Sequence, residues 1–189
     1  MKLRIFVQVC LAAVCTLTCP GNMSVNNDAG QCGATVTYAA PGTAGTCGTV
    51  TCVPASGSFF AVGTTTVTCT AEQGATCSFT VTVVDNQAPV LGACPADITA
   101  NTDAGLCTAV VSYTAPTASD VCDGAVTVNC SPASGSAFAK GVTTVTCTAS
   151  DSASPANAAS CSFTVTVVDN QAPVLGACPA DITANTDAG

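Results

Sequence analysis

Cys161-Ser-Phe-Thr-Val-Thr-Val-Val-Asp169 alternates strictly: Phe163, Val165 and Val167 fall on one side, Ser162, Thr164 and Thr166 on the other. That period of two is the mark of a strand with one buried and one wet face. The stretch opens a 29-residue string, CSFTVTVVDNQAPVLGACPADITANTDAG, which stands at residues 77–105 and again, without a difference, at 161–189. A verbatim repeat makes the chain an array of one small module, and arrays bind, space or adhere more often than they catalyse.

Working outward, Val145, Cys147 and Ala149 alternate with Thr144, Thr146 and Thr148, and Val126, Val128 and Cys130 with Thr127 and Asn129. Turn residues cluster at 101–105, 132–135 and 153–157. No stretch has helical periodicity. The expectation is an all-β chain, one small sandwich per module. Self-alignment divides it into a secretory leader over 1–18, a first module over 19–88, a second over 89–172, and the start of a truncated third over 173–189.

The leader rests on Lys2 and Arg4 ahead of an apolar run from Ile5 to Leu17. Its removal leaves Lys140 as the one base against eleven acidic residues. Such a chain repels nucleic acid and anionic membranes, and no later segment is apolar enough to span a bilayer. Aromatic residues make up only 4% of the chain, so each module must build its core from Val, Ala and Cys. Cores of that kind stabilise a domain of about 80 residues only marginally, and disulfides formed in an oxidising compartment are the expected supplement.

Each module carries six of the 15 cysteines: Cys19, Cys32, Cys47, Cys52, Cys69 and Cys77, then Cys94, Cys107, Cys122, Cys130, Cys147 and Cys161. The first-to-second, second-to-third and fourth-to-fifth spacings are the same in both modules. Cys52, Cys69, Cys130 and Cys147 share the apolar phase of alternating strands, which favours Cys52–Cys69 and Cys130–Cys147 as core bridges. The other eight are expected to pair inside their own modules, in an order that spacing leaves open. Cys178 opens the truncated module. With no Cys-x-x-Cys pair and no histidine, zinc is not expected.

An ordered set of segments resembles the hyalin repeat (HYR) domain. It comprises Cys94-Pro95, Asp103-Ala-Gly-Leu-Cys107, Ala109-Val-Val-Ser-Tyr113, Pro116-Thr-Ala-Ser-Asp120-Val-Cys122, Ser134-Gly-Ser-Ala-Phe138, Gly141-Val-Thr-Thr-Val-Thr-Cys147 and Cys161 to Asp169. The resemblance implies an immunoglobulin-like sandwich of extracellular multidomain proteins, associated with cell adhesion and bringing no catalytic residues. Departures fall at Gly42–Gly48, at Lys140 and at Ser152–Ala156, all in loop regions.

The residues themselves argue against catalysis. Without histidine there is no conventional Ser-His or Cys-His pair, and Glu72 and Lys140 are lone representatives of their types after the leader. Turn aspartates are explained by side-chain bonds to the backbone. One electrostatic expectation stands beside that plainer reading: Asp85, Asp120, Asp123 and Asp151 meet at the module junction and offer oxygen ligands to calcium. No other cofactor is expected. The partners expected are an extracellular protein or carbohydrate ligand, with self-association along the array, and neither nucleic acid nor membrane. The leading functional expectation is a non-catalytic adhesion or structural array at the cell surface or in the matrix. The alternative is a set of accessory modules in a larger secreted enzyme.

Overall fold

The computed structural model describes residues 13–185. Among them there is no helix, and seventeen strands carry the fold. The first eight are β1 (Thr16–Thr18), β2 (Met23–Asn26), β3 (Gly33–Val36), β4 (Gly42–Ala44), β5 (Val50–Val53), β6 (Ser58–Ala61), β7 (Gly63–Ala71) and β8 (Thr76–Val84). The next nine are β9 (Val90–Leu91), β10 (Ile98–Asn101), β11 (Thr108–Val111), β12 (Ala118–Asp120), β13 (Gly124–Val126), β14 (Val128–Ser131), β15 (Ser136–Ala139), β16 (Gly141–Ser150) and β17 (Ala158–Val168).

The contacts cluster into two compact units. One holds the described residues of Met1–Cys94 with Ala115–Asn129 and Cys147–Cys161; the other holds Pro95–Thr114, Cys130–Thr146 and the described residues of Ser162–Gly189.

In the first unit, β7 and β8 form the central hairpin. Their β-branched runs suit a pleated surface, and the register sets Val67 opposite Phe79 and Cys69 opposite Cys77. Gly74, at φ +86, closes the turn between them, donating its N–H to the Ala71 carbonyl. β5 joins β7 antiparallel and β2 joins β8 in parallel, giving the order β2-β8-β7-β5. A second layer, β3 paired with β6, covers its inner face. Between them Ala34, Val36 and Phe60 meet Val67, Cys69, Phe79, Val81 and Val83 in one buried cluster. Two layers, with the first sheet strand alongside the last, make an immunoglobulin-like sandwich. The apolar phase read from the sequence is the phase that is buried.

Two details fix the packing of the layers. Gly33 faces Phe60 so closely that a Cβ would fall against the Phe60 carbonyl oxygen and the Phe59 ring. Tyr38 stands edge-on to Phe79 at 5.0 Å between centroids and donates its hydroxyl to the Pro54 carbonyl.

The second unit buries the same positions. Ala109, Val111 and Phe138 correspond to Ala34, Val36 and Phe60, and Val145, Phe163, Val165 and Val167 to Val67, Phe79, Val81 and Val83. β11 pairs with β15, and β10 runs parallel to β17. Tyr113 repeats the Tyr38 arrangement, edge-on to Phe163 at 5.0 Å and donating to the Pro132 carbonyl.

One strand expectation needs correction. Val126 and Val128 do not continue a single strand. The chain breaks at Thr127, so that β13 pairs with β12 while β14 belongs to the sheet ordered β10-β17-β16-β14. Alternation survives a change of sheet, so periodicity alone does not reveal it.

Candidate functional site

The residues singled out at the module junction lie within the first unit, and the linker that leads to them is held rather than loose. Asn27 donates its side-chain amide to the Asp85 carboxylate at 3.0 Å and accepts the Asn86 N–H at 3.2 Å. Gln87 donates to the Asp28 carbonyl and accepts the Gly30 N–H, each at 2.9 Å. These bonds fasten residues 85–87 onto the loop that carries Cys32. Three residues further on, β9 pairs antiparallel with β12, setting Val90 opposite Ser119 and Leu91 opposite Ala118. Gly92 extends the pairing by donating to the Thr117 carbonyl at 2.8 Å.

The covalent arrangement is a disulfide from Cys32 to Cys122, Cα atoms 4.9 Å apart, across 90 residues of chain. It joins the second cysteine of one repeat to the third cysteine of the next. A further bond, Cys15–Cys47, ties the third cysteine of the first repeat to the segment in front of it, where β1 pairs with β4 as β9 pairs with β12.

Three cysteine expectations are corrected by this. Cys32, Cys47 and Cys122 do not pair inside their own modules, Cys107 is an exposed free thiol rather than a paired one, and Cys15, assigned to the leader, is bonded. The cause is spatial. The third cysteine follows the strand that reaches the preceding segment, so its nearest thiol lies outside its own repeat. Thr16–Thr18, also placed in the leader, form β1; residues 1–12 lie outside the described residues. The remaining bonds fall within repeats: Cys19–Cys77, Cys94–Cys161 and Cys52–Cys69, the last between directly opposed residues of β5 and β7. Cys130 and Cys147 are both disulfide-bonded.

The four junction aspartates meet only in part. Asp85 and Asp120, 6% and 8% exposed, bring ligand atoms within 4.8 Å of one another and of the Cys122 sulfur. Cys122 is spent in its disulfide and offers no thiolate. Asp120 accepts the Cys122 N–H at 2.7 Å, which shapes the turn into β13. Asp151 accepts the Ala153 and Asn157 N–H groups and the Asn157 amide. That same amide reaches the Asp85 carbonyl at 3.1 Å, so Asp151 joins the junction through Asn157. Asp123 takes two hydrogen bonds from Ser152, and these, the hydroxyl first and the N–H second, hold its carboxyl below the ordinary range. The single basic side chain among the described residues, Lys140, is paired with Asp169 at 3.1 Å. A cavity of about 170 Å³ opens beside Asp120, lined by Gln87, Ala88, Val90, Ser119 and Val121.

Sequence reasoning missed Gln87, Asn27 and Asn157, which tie the junction together. For Gln87 the available signal was the Asp-Asn-Gln string inside the verbatim repeat, at 85–87 and again at 169–171. A second groove, of about 490 Å³, runs beside Tyr38, Pro41, Val50 and Ser56.

The fold and junction define a tandem array of disulfide-stapled sandwiches. The chain belongs to the HYR domain family, whose profile matches residues 14–83 and again 84–167. Hyalin of Strongylocentrotus purpuratus is 35% identical over 164 residues, covering 80% of this chain and 13% of hyalin. The chain thus spans a small fraction of the length of that relative. Among solved structures, protocadherin gamma C5 EC1-3 is similar with a TM-score of 0.37 at 15% identity, covering 81% of this chain and 68% of that one. Human mucin-like protocadherin EC1-2 gives 0.38 at 13% identity, covering 84% and 100%. Among the described residues no helix is long and apolar enough to cross a membrane.

Proposed function

We propose that the chain is a stretch of an extracellular, non-catalytic adhesion or matrix array whose modules engage protein or glycan ligands. The observation that carries this reading is the junction: successive repeats are joined by the Cys32–Cys122 disulfide and a hydrogen-bonded linker. Fixed spacing between binding modules preserves effective concentration along an array, which a catalytic domain does not need. Family membership and the density of disulfides support the extracellular placement, and the acidic surface turns away nucleic acid and anionic membrane.

The test is secretion followed by attachment. The chain is expressed with its leader in a secreting eukaryotic cell, purified from medium and coated on beads. Coated beads are expected to retain matrix protein, glycan or cells above beads carrying an unrelated acidic protein, and to lose that retention on reduction. Retention no better than the control returns the reading to the alternative, accessory modules in a larger secreted enzyme.

Calcium at the junction belongs to the same reading. Its support is that Asp85 and Asp120 are buried side by side, with carboxylate oxygens close enough to share one cation. Calcium titration that raises the melting temperature of the parent but not of Asp120→Asn supports it; identical curves for both dismiss it.

A further inference from the structure

Cys107 is the second cysteine of its repeat, at the place that Cys32 holds in the repeat before, yet its thiol is free and exposed. The glutamine clamp beside Cys32 is reproduced around Cys107, with Thr102 in the place of Asn27 and accepting from the Gln171 amide at 2.9 Å. Gln171 accepts the Gly105 N–H at 2.9 Å and donates to the Asp103 carbonyl at 2.8 Å, as Gln87 does with Gly30 and Asp28. Thus the chain leaving Asp169 is fastened to the Cys107 loop as the chain leaving Asp85 is fastened to the Cys32 loop. Residues 173–189 then repeat 89–105 letter for letter. Val174 and Leu175 are the counterparts of β9; Leu175 is 90% exposed whereas Leu91 is half-buried against β12, and Val174, like Val90, is exposed.

We propose that Cys107 and the Val174–Leu175 segment form a receiving site for a further HYR module. Its third-position cysteine, the counterpart of Cys122, bonds to Cys107, so that every module is disulfide-linked to the next. The occupant is the counterpart of the Ala118–Cys122 segment. It supplies a strand to pair with Val174–Leu175 and a thiol two residues beyond that strand, as β12 and Cys122 do at the first junction. The third-position cysteine of the first repeat follows the same rule: Cys47 bonds to Cys15, in the segment ahead of its own repeat. Cys178 is the counterpart of Cys94 and pairs inside the incoming module, as Cys94 does with Cys161. Bond formation takes one hydrogen from each thiol. The two electrons and two protons pass to the disulfide of a dithiol–disulfide oxidoreductase, which is reduced to its dithiol.

The experiment uses the whole chain, with and without an appended copy of residues 106–168 after Gly189, secreted from the same cells. Thiols are alkylated and non-reduced digests are mapped by mass spectrometry. In the parent, Cys32 is expected joined to Cys122, with Cys107 fully alkylated. In the extended chain, Cys107 is expected joined to the appended copy of Cys122 and closed to alkylation. Cys107→Ser in that chain should leave the appended third cysteine alkylated, with the bonds inside each module intact. Cys107 still open in an extended chain whose Cys32–Cys122 bond is present overturns the proposal. So does Cys107 joined to any other cysteine, a reduction-sensitive dimer held through Cys107, or a parent without the Cys32–Cys122 bond.

Discussion

Removing the junction staple cleanly requires the double variant Cys32→Ser/Cys122→Ser, which leaves no stray thiol to reshuffle other bonds. The loss in stability follows from loop closure in the unfolded chain. Ninety residues separate the two cysteines along the chain. The Cys19–Cys77 bond supplies a shorter path, 13 residues back from Cys32 and 45 on from Cys77, so that the loop closed is nearer 60 residues. Closing a loop of that length restricts the unfolded ensemble by about 4 kcal/mol. The linker bonds from Asn27 and Gln87 and the β9–β12 pairing survive in the variant, each hydrogen bond contributing about 1 kcal/mol net. They hold the junction together in the folded state but do nothing to restrain the unfolded one. The expected effect is therefore a loss of about 2–4 kcal/mol, read from guanidinium unfolding followed by far-ultraviolet circular dichroism. Hydrogen exchange adds location: amides of 85–92 and 117–126 should lose protection while those of β7 and β8 keep theirs. A variant within about 0.5 kcal/mol of the parent, far below the loop-closure figure, with unchanged exchange at the junction, refutes the reasoning.

Tyr38→Phe keeps the ring against Phe79 but strands the Pro54 carbonyl, and should cost about 1 kcal/mol in chemical denaturation; Tyr113→Phe should match it at Pro132. Gly33→Ala must part β3 from β6 at the Phe60 carbonyl, so a loss of about 1–3 kcal/mol is expected, checked by thermal melting. Acid should also weaken the fold. The Asp97 carboxyl is held low by the Thr164 N–H and then its side chain, Asp123 by Ser152, and Asp169 by the Gln171 N–H and then Lys140. Depressed carboxyls favour the folded state fully above the ordinary aspartate value of about 3.9, and the benefit disappears as pH falls through the lower folded values. Melting temperature is expected to fall with pH in that acid range. Asp97→Asn, which keeps the acceptor for Thr164, should flatten the fall.

How much of this could be read beforehand depends on whether a residue answers to its own strand or to a distant one. Phe163, Val165 and Val167 announce their burial because alternation is a local property, and the same holds for Cys69 and, half-buried opposite it, Cys52. Thr127, where the chain leaves one sheet for another, is silent because nothing in its neighbours' spacing changes. The four aspartates at the junction were visible as candidates, yet their partition was not. Asp85 and Asp120 draw together while Asp123 turns to Ser152, a choice made by hairpin tips far apart in sequence. The cysteines show the same limit most clearly. Equal spacings in both repeats suggest a self-contained set of six, and that is how a count reads them. Two equal repeats joined head to tail also admit a bond from the second cysteine of one to the third of the next, with the same spacings throughout. Counting cannot separate these patterns, because the choice depends on which thiol each strand end meets in space. A self-contained set would bring Cys122 to a cysteine of its own repeat. The β9–β12 pairing instead carries Cys122 to the loop that the linker fastens, where Cys32 stands, and the β1–β4 pairing likewise carries Cys47 to Cys15.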